Sequence, residues 1–298
     1  MRNVYVRPLV AAAVLACLGM QASAEPIFGL TLDNSLVTFD SATPGVASAP
    51  IAISGLGAGQ ALVGIDFRPL DRQLVGVASA AGGMGAVYSI NPFTGAATQI
   101  NTIAALTGTS FGVDFNPVPN ALRIVSDADQ NLRITAGGGG VVNTDTALNP
   151  GNPNVVGAAY TNNVPGGIGG QTTLYVIDSA ADQLLTQGSV NFPPGTSPNT
   201  GTLLAVGALG LDIDDQVGFD ISRDTAIAYA SFSGAASGAW LFTIDLGTGA
   251  ATLAGAIGNG LALRDITVSQ VPEPGTLGLL ALGLLGVLTL RGRGRAPN

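Results

Sequence analysis

Gly64-Ile65-Asp66-Phe67 returns as Gly112-Val113-Asp114-Phe115, as Gly157-Ala158-Ala159-Tyr160 and as Gly218-Phe219-Asp220-Ile221. A fifth copy, Leu263-Arg264-Asp265-Ile266, lacks the glycine but keeps the aspartate. The copies start 45 to 61 residues apart, a period that belongs to a structural repeat rather than to one continuous domain pattern. Each copy reads as a short strand. The longest interval contains the Pro/Gly-rich segment Asn191 to Gly201, which reads as a surface loop.

Two further units recur between these strands. Leu122 to Ile134 (LRIVSDADQNLRI) parallels Leu174 to Thr186 (LYVIDSAADQLLT) and Ile27 to Phe39 (IFGLTLDNSLVTF). Each is an apolar run, a polar Asp/Asn/Gln turn and a second run, which is the pattern of a hairpin. Val87 to Thr98 (VYSINPFTGAAT) is nearly repeated at Leu241 to Thr252 (LFTIDLGTGAAT), with Thr-Gly marking the turn.

Assembled, residues 62 to 101, 111 to 143, 155 to 209 and 217 to 256 supply four sets of four strands. One strand remains at the end, Leu263 to Val268, and three at the beginning, Ile27 to Leu32, Ser35 to Asp40 and Pro50 to Ser54. Together they make a fifth set. A ring completed by both termini leaves no open sheet edge, so the pattern predicts an all-β, five-bladed β-propeller over residues 25–270. The alternative is a β-sandwich.

Composition excludes more chemistry than it suggests. The chain has no histidine, no lysine and one cysteine, Cys17. Without histidine the commonest general base and the commonest transition-metal ligand are both missing, and a Ser-His-Asp triad cannot be built. Without lysine there is neither Schiff-base chemistry nor a phosphate-loop lysine. Residues 25–270 hold 18 acidic residues, all but one of them Asp, against six Arg, a net charge of about −12. Such a surface repels nucleic acid and anionic lipid and attracts cations.

The ends read as addresses. Residues 1–24 have the positive start (Arg2, Arg7), the apolar run and the small-residue finish (Ala22-Ser23-Ala24) of a signal peptide, which predicts cleavage between Ala24 and Glu25. Cleavage there would also remove Cys17. Residues 271–298 contain Pro272-Glu273-Pro274, an apolar stretch over 277–290, and then Arg291, Arg293 and Arg295. A 14-residue helix covers roughly 21 Å, short of a ~30 Å hydrocarbon core, so the stretch fits transient membrane association. The arginines would stay on the cytoplasmic side.

This tail resembles the PEP-CTERM sorting signal of Gram-negative bacteria. The resemblance implies partners in the export machinery and in an exosortase-type processing enzyme, and delivery to the cell surface or an extracellular polysaccharide matrix. The body resembles the family catalogued as domain of unknown function 4394, through the segments LVGIDFRP, FGVDFNP, SDADQNLR, VVGAAYTN and the Thr-Gly-Ala-Ala-Thr hairpins. That resemblance lends no activity, substrate or site residues.

The sharpest candidate constellation is Asp66, Asp114, Asp220 and Asp265, with Ala159 breaking the set. If the repeated strands line the axis, the four carboxylates converge. Repetition favours a role in pinning blade to blade through backbone N–H groups, and a hard cation such as Ca²⁺ is the alternative use of the same oxygens. Asp127, Asp129 and Asn131 imitate the start of a calcium loop, but Leu132 and Gly138 stand where an EF-hand needs Gly and Glu, so a hairpin turn is expected. The only glutamates, Glu25 and Glu273, lie outside the repeats, which weighs against a glycoside hydrolase. The expectation is an exported, non-enzymatic structural or binding module with no catalytic residues and no required cofactor. A Ca²⁺-stabilised carbohydrate-binding module is the alternative.

Overall fold

The computed structural model describes residues 24–234 and 238–269. The expected signal sequence, up to residue 23, and the sorting tail with Pro272, Glu273, Pro274, Arg291, Arg293 and Arg295 lie outside the described residues. Among the described residues no helix is long and apolar enough to cross a membrane.

Five antiparallel sheets form a five-bladed propeller. Blade one runs from Gln60 to Ile103, blade two from Phe111 to Thr144, blade three from Val155 to Ala208 and blade four from Val217 to Ala256, each with its four strands in chain order. Their inner strands are Gln60–Phe67, Phe111–Asn116, Val155–Tyr160 and Val217–Ile221. Blade five is composite. Its inner strand, Leu263–Val268, pairs with the N-terminal strand Pro26–Thr31, Ile27 facing Val268 and Gly29 facing Ile266. The five inner strands abut in a ring, blade five against both blade four and blade one.

Burial falls along the radius. The second strands Leu74–Ala80, Ala121–Ser126 and Thr172–Asp178 are buried on both faces over most or all of their length, which explains their continuous apolar runs. Half of the residues in each of the outer strands Leu203–Ala208 and Ala251–Ala256 are exposed, and only Leu203 is buried. Each gap between consecutive blades holds a separate apolar cluster, five in all. Phe28 of blade five meets Phe67 of blade one edge to face at 5.3 Å, so closure of the ring is also an aromatic contact.

The repeated glycine has a steric cause. A Cβ on Gly112 would stand 2.6 Å from the backbone of Gly157 and Ala158, and one on Gly218 would stand 2.4 Å from Ile266 N. Inner strands of neighbouring blades therefore approach closer than any side chain at that position allows.

Two expectations need correction. The outer edge of blade five is not Pro50 to Ser54 but a broken strand, Thr43–Ala47 and then Ile51–Ala52, both beside Ser35–Asp40. Pro50 has no N–H to donate, and Ser54 turns away to bond Gly95 and Ala97 of blade one. The segment Asn191 to Gly201 is not simply a surface loop. It folds inward around a turn at Pro198–Thr200, where Pro198 is buried and Asn199 reaches blade two.

Candidate functional site

The inner strands carry their aspartates to the axis, where all four are sealed from solvent: Asp66 and Asp114 are 1% exposed, Asp220 2% and Asp265 5%. One carboxylate oxygen each from Asp66, Asp114 and Asp220 lie within 4.8 Å of one another. Ala159 stands where blade three would have contributed a fifth acid.

Three of the four are held by backbone. Asp265 Oδ2 accepts from the N–H of Ile65 at 2.8 Å, tying blade five to blade one. Asp66 Oδ2 accepts from Phe115 at 2.9 Å, tying blade one to blade two. Asp220 Oδ2 accepts from Val268 at 2.6 Å, tying blade four to blade five. The Thr267 hydroxyl sits 3.0 Å from both Asp66 Oδ1 and Asp220 Oδ2. With one hydrogen it can donate to only one of them at a time.

Asp114 is the exception. Neither of its oxygens has a hydrogen-bond partner; the N–H of Tyr160 faces it without meeting hydrogen-bond geometry. Among the described residues, the ion pairs join Arg68 to Asp71 and Arg123 and Arg133 to Asp145, and none reaches the axis.

Electrostatics follow from this crowding. Burial pushes Asp66, Asp114 and Asp265 well above the usual carboxylate range. The charge of Asp220 adds to the effect at Asp66, and the charges of Asp66 and Asp220 add to it at Asp114. Burial raises Asp220 to about 7, against the pull of its hydrogen bonds from Val268, Thr267 and Ile221. At one end of the axis a cavity of about 80 Å³ is lined by Val63, Phe111, Val156 and Val217, each preceding a repeated glycine, and by Asp215 and Arg264. Burial lowers the Arg264 guanidinium, whose Nε has no partner.

The Asp127 to Asn131 segment is the turn between Ala121–Ser126 and Asn131–Ile134. Its carboxylate at Asp127 accepts from Thr109 N–H at 2.8 Å, from the Thr109 hydroxyl and from Ser110 N–H, while Asp129 takes the left-handed turn position, φ 58°. Asn131 points the other way, into the interior beside Arg123. In the Asp212 to Asp215 loop, Asp215 Oδ1 accepts from Asn154 and Ser179, both at 2.7 Å. Trp240 is 38% exposed.

Two buried polar groups escaped the sequence reading. Glu25 is 6% exposed, and its carboxylate accepts from the hydroxyls of Ser222, Thr225 (2.9 Å) and Tyr229 (3.0 Å), clamping the N-terminal end of the body to blade four. Burial, with Glu25 alongside, raises Tyr229 to about 12. Arg123, 1% exposed, donates to Tyr160 (3.3 Å), Asn131 (2.7 Å), Asp145 (2.8 Å) and Asn199 (2.6 Å), joining blade two to blade three and its insertion. An arginine inside the apolar run LRIV was the available signal for the second.

The model of the family described as domain of unknown function (DUF4394) matches residues 35–267. The chain belongs to this family. The PEP-CTERM protein-sorting motif matches residues 270–294, which makes this DUF4394 member an exported protein sorted by exosortase. Membership itself assigns no molecular activity. Among solved structures, TolB from Acinetobacter baumannii is similar at 14% identity and a TM-score of 0.45, over 78% of this chain and 53% of that one. A protein from Lactobacillus plantarum is similar at 14% identity and a TM-score of 0.40, over 84% and 68%. The chain thus spans about half the length of the TolB chain. No curated protein matches.

Proposed function

We propose that the mature body is a non-enzymatic structural or binding module, displayed on the surface of a Gram-negative cell or in the polysaccharide matrix around it. The observation that carries this reading is where the repeated carboxylates lie. Acid–base chemistry on a polymer needs two carboxyl groups that flank a bound substrate. Here Asp66, Asp220 and Asp265 sit below the surface and spend oxygens on backbone N–H groups of neighbouring blades. Glu25, the one glutamate in the body, is likewise filled by three hydroxyls. A closed ring with an acidic surface suits display, and the sorting motif supplies the address.

The test is a turnover assay on purified protein against a panel of polysaccharides and esters. No product above the uncatalysed rate is expected. Turnover that Asp66→Asn or Glu25→Gln abolishes would sink the reading. For the address, surface fractionation should recover the wild-type body outside the cell, and Glu273→Ala should shift it towards the inner membrane; equal release of both forms would count against display through the tail.

A further inference from the structure

We propose that the propeller axis is a calcium site whose protein ligands are the carboxylates of Asp66, Asp114 and Asp220. Their three oxygens, no more than 4.8 Å apart, define a triangle whose centre lies at most about 2.8 Å from each corner. Calcium–oxygen distances are roughly 2.3–2.6 Å, so small side-chain rotations bring all three oxygens onto one ion. The smaller Mg²⁺ needs oxygens at about 2.0–2.1 Å and fits the opening less well.

The second observation is Asp114. Its two oxygens are buried and unpartnered, although the carboxylates on either side of the ring are anchored by backbone N–H groups. A buried carboxylate left ionised here makes no ion pair, since Arg123 opposite it is spent on Asp145, and a protonated one has no acceptor for its O–H, so both states are costly. An ion between the three oxygens removes both costs at once. The ligand set is hard and all-oxygen, with the Thr267 hydroxyl beside two of the three carboxylates. Such a set selects Ca²⁺ over softer metals.

The site also has an architectural meaning. Its ligands come from blades one, two and four, and the cross-blade bonds of Asp66 and Asp220 already reach blades two and five. One ion would therefore hold the ring at its centre while the N-terminal strand holds it at the seam. The proposal does not depend on whether the module is an enzyme.

The experiment strips the full exported protein with EDTA, removes the chelator, and titrates it with CaCl2 while retained metal and melting temperature are read. One Ca²⁺ per chain and a rise of roughly 5–10 °C at calcium about a hundredfold above Kd are expected. Asp114→Asn should retain no ion and show no rise, yet melt no lower than the stripped wild type, because that carboxylate holds no other group. Asp265→Asn should melt lower with and without calcium while keeping the rise, which separates blade pinning from ion binding. Equal melting of the wild type in CaCl2 and EDTA with no retained calcium would overturn the site. So would a rise of undiminished size in Asp114→Asn, or one seen with MgCl2 and not with CaCl2. The wild-type measurement decides alone should the Asn variant fail to fold.

Discussion

Two buried polar clusters that adjoin in blade two, where Arg123 stands opposite Asp114 in register, solve opposite problems. Around Arg123 the charges are mixed: one guanidinium meets Asp145, Asn131, Asn199 and Tyr160, and Arg133 shares the same aspartate at 3.1 Å. At the axis all charges have one sign, and one member, Asp114, has no hydrogen-bond partner. A satisfied network specifies how blades dock, and its worth lies in every member being paired. The contrast teaches that repetition alone does not assign a role. The aspartates recur in four blades, yet three of them use their oxygens on neighbouring backbone while the fourth faces its companions with both oxygens unpartnered.

The largest effect should come from breaking the satisfied cluster. Arg123→Ala leaves Asp145, Asn131 and Asn199 without their shared donor, and about 3–5 kcal/mol of stability should be lost in a denaturant titration. A loss under about 1 kcal/mol would mean the network is loosely coupled to the fold.

Next in size is the pH response of the like-charged cluster. Asp66, Asp114, Asp220 and Asp265 face one another, with Glu25 near Asp220 and the neutral Thr267 between two of them. Each of these aspartates titrates higher in the fold than in the unfolded chain, so the native state binds more protons. Their contribution to stability is therefore fully present below the ordinary value of 3.8 and is lost as pH rises through their raised values, about 7 for Asp220. Melting temperatures in EDTA should drop steadily between pH 5 and pH 8. A flat profile in EDTA would show that the four acids are solvated rather than sealed.

Asp265→Asn comes third. It weakens the tie from blade five to Ile65, and a loss of about 1–3 kcal/mol is expected. The smallest effect belongs to Asp71→Asn. The Arg68 side chain holds the Asp71 carboxyl below its ordinary range, a contribution present above the unfolded value and lost as pH falls through the folded one. The pair is half in solvent, so less than about 1 kcal/mol should go, and added salt should erase the difference.

Much of the architecture was legible because its cause is local and repeated. The Gly-X-Asp-aromatic strands mark where inner strands crowd together, and the Thr-Gly hairpins set blade width. The broken edge at 43–52 was harder, since Thr43–Ala47 contains both Pro44 and Gly45 and scans as a turn. The convergence of the aspartates could be read from their spacing, but the loneliness of Asp114 could not. It depends on where Tyr160 N–H points, a matter of ångströms. Arg123 and Asn199 are 76 residues apart, and nothing in either neighbourhood announces the other. Glu25 lies outside the repeats in sequence, yet its carboxylate is locked by Ser222, Thr225 and Tyr229.

The pairing of Pro26–Thr31 with Leu263–Val268 also sets a timetable. A chain exported from its N-terminus delivers the first of these strands more than two hundred residues before the second. Until then, that strand has one partner, Ser35–Asp40, and one bare edge. Closing so long a loop carries an entropic cost and makes the final step the most non-local contact in the molecule, which slows folding. The sorting motif begins at residue 270, just past the closing strand, so the strand that completes the ring is the last one before the motif.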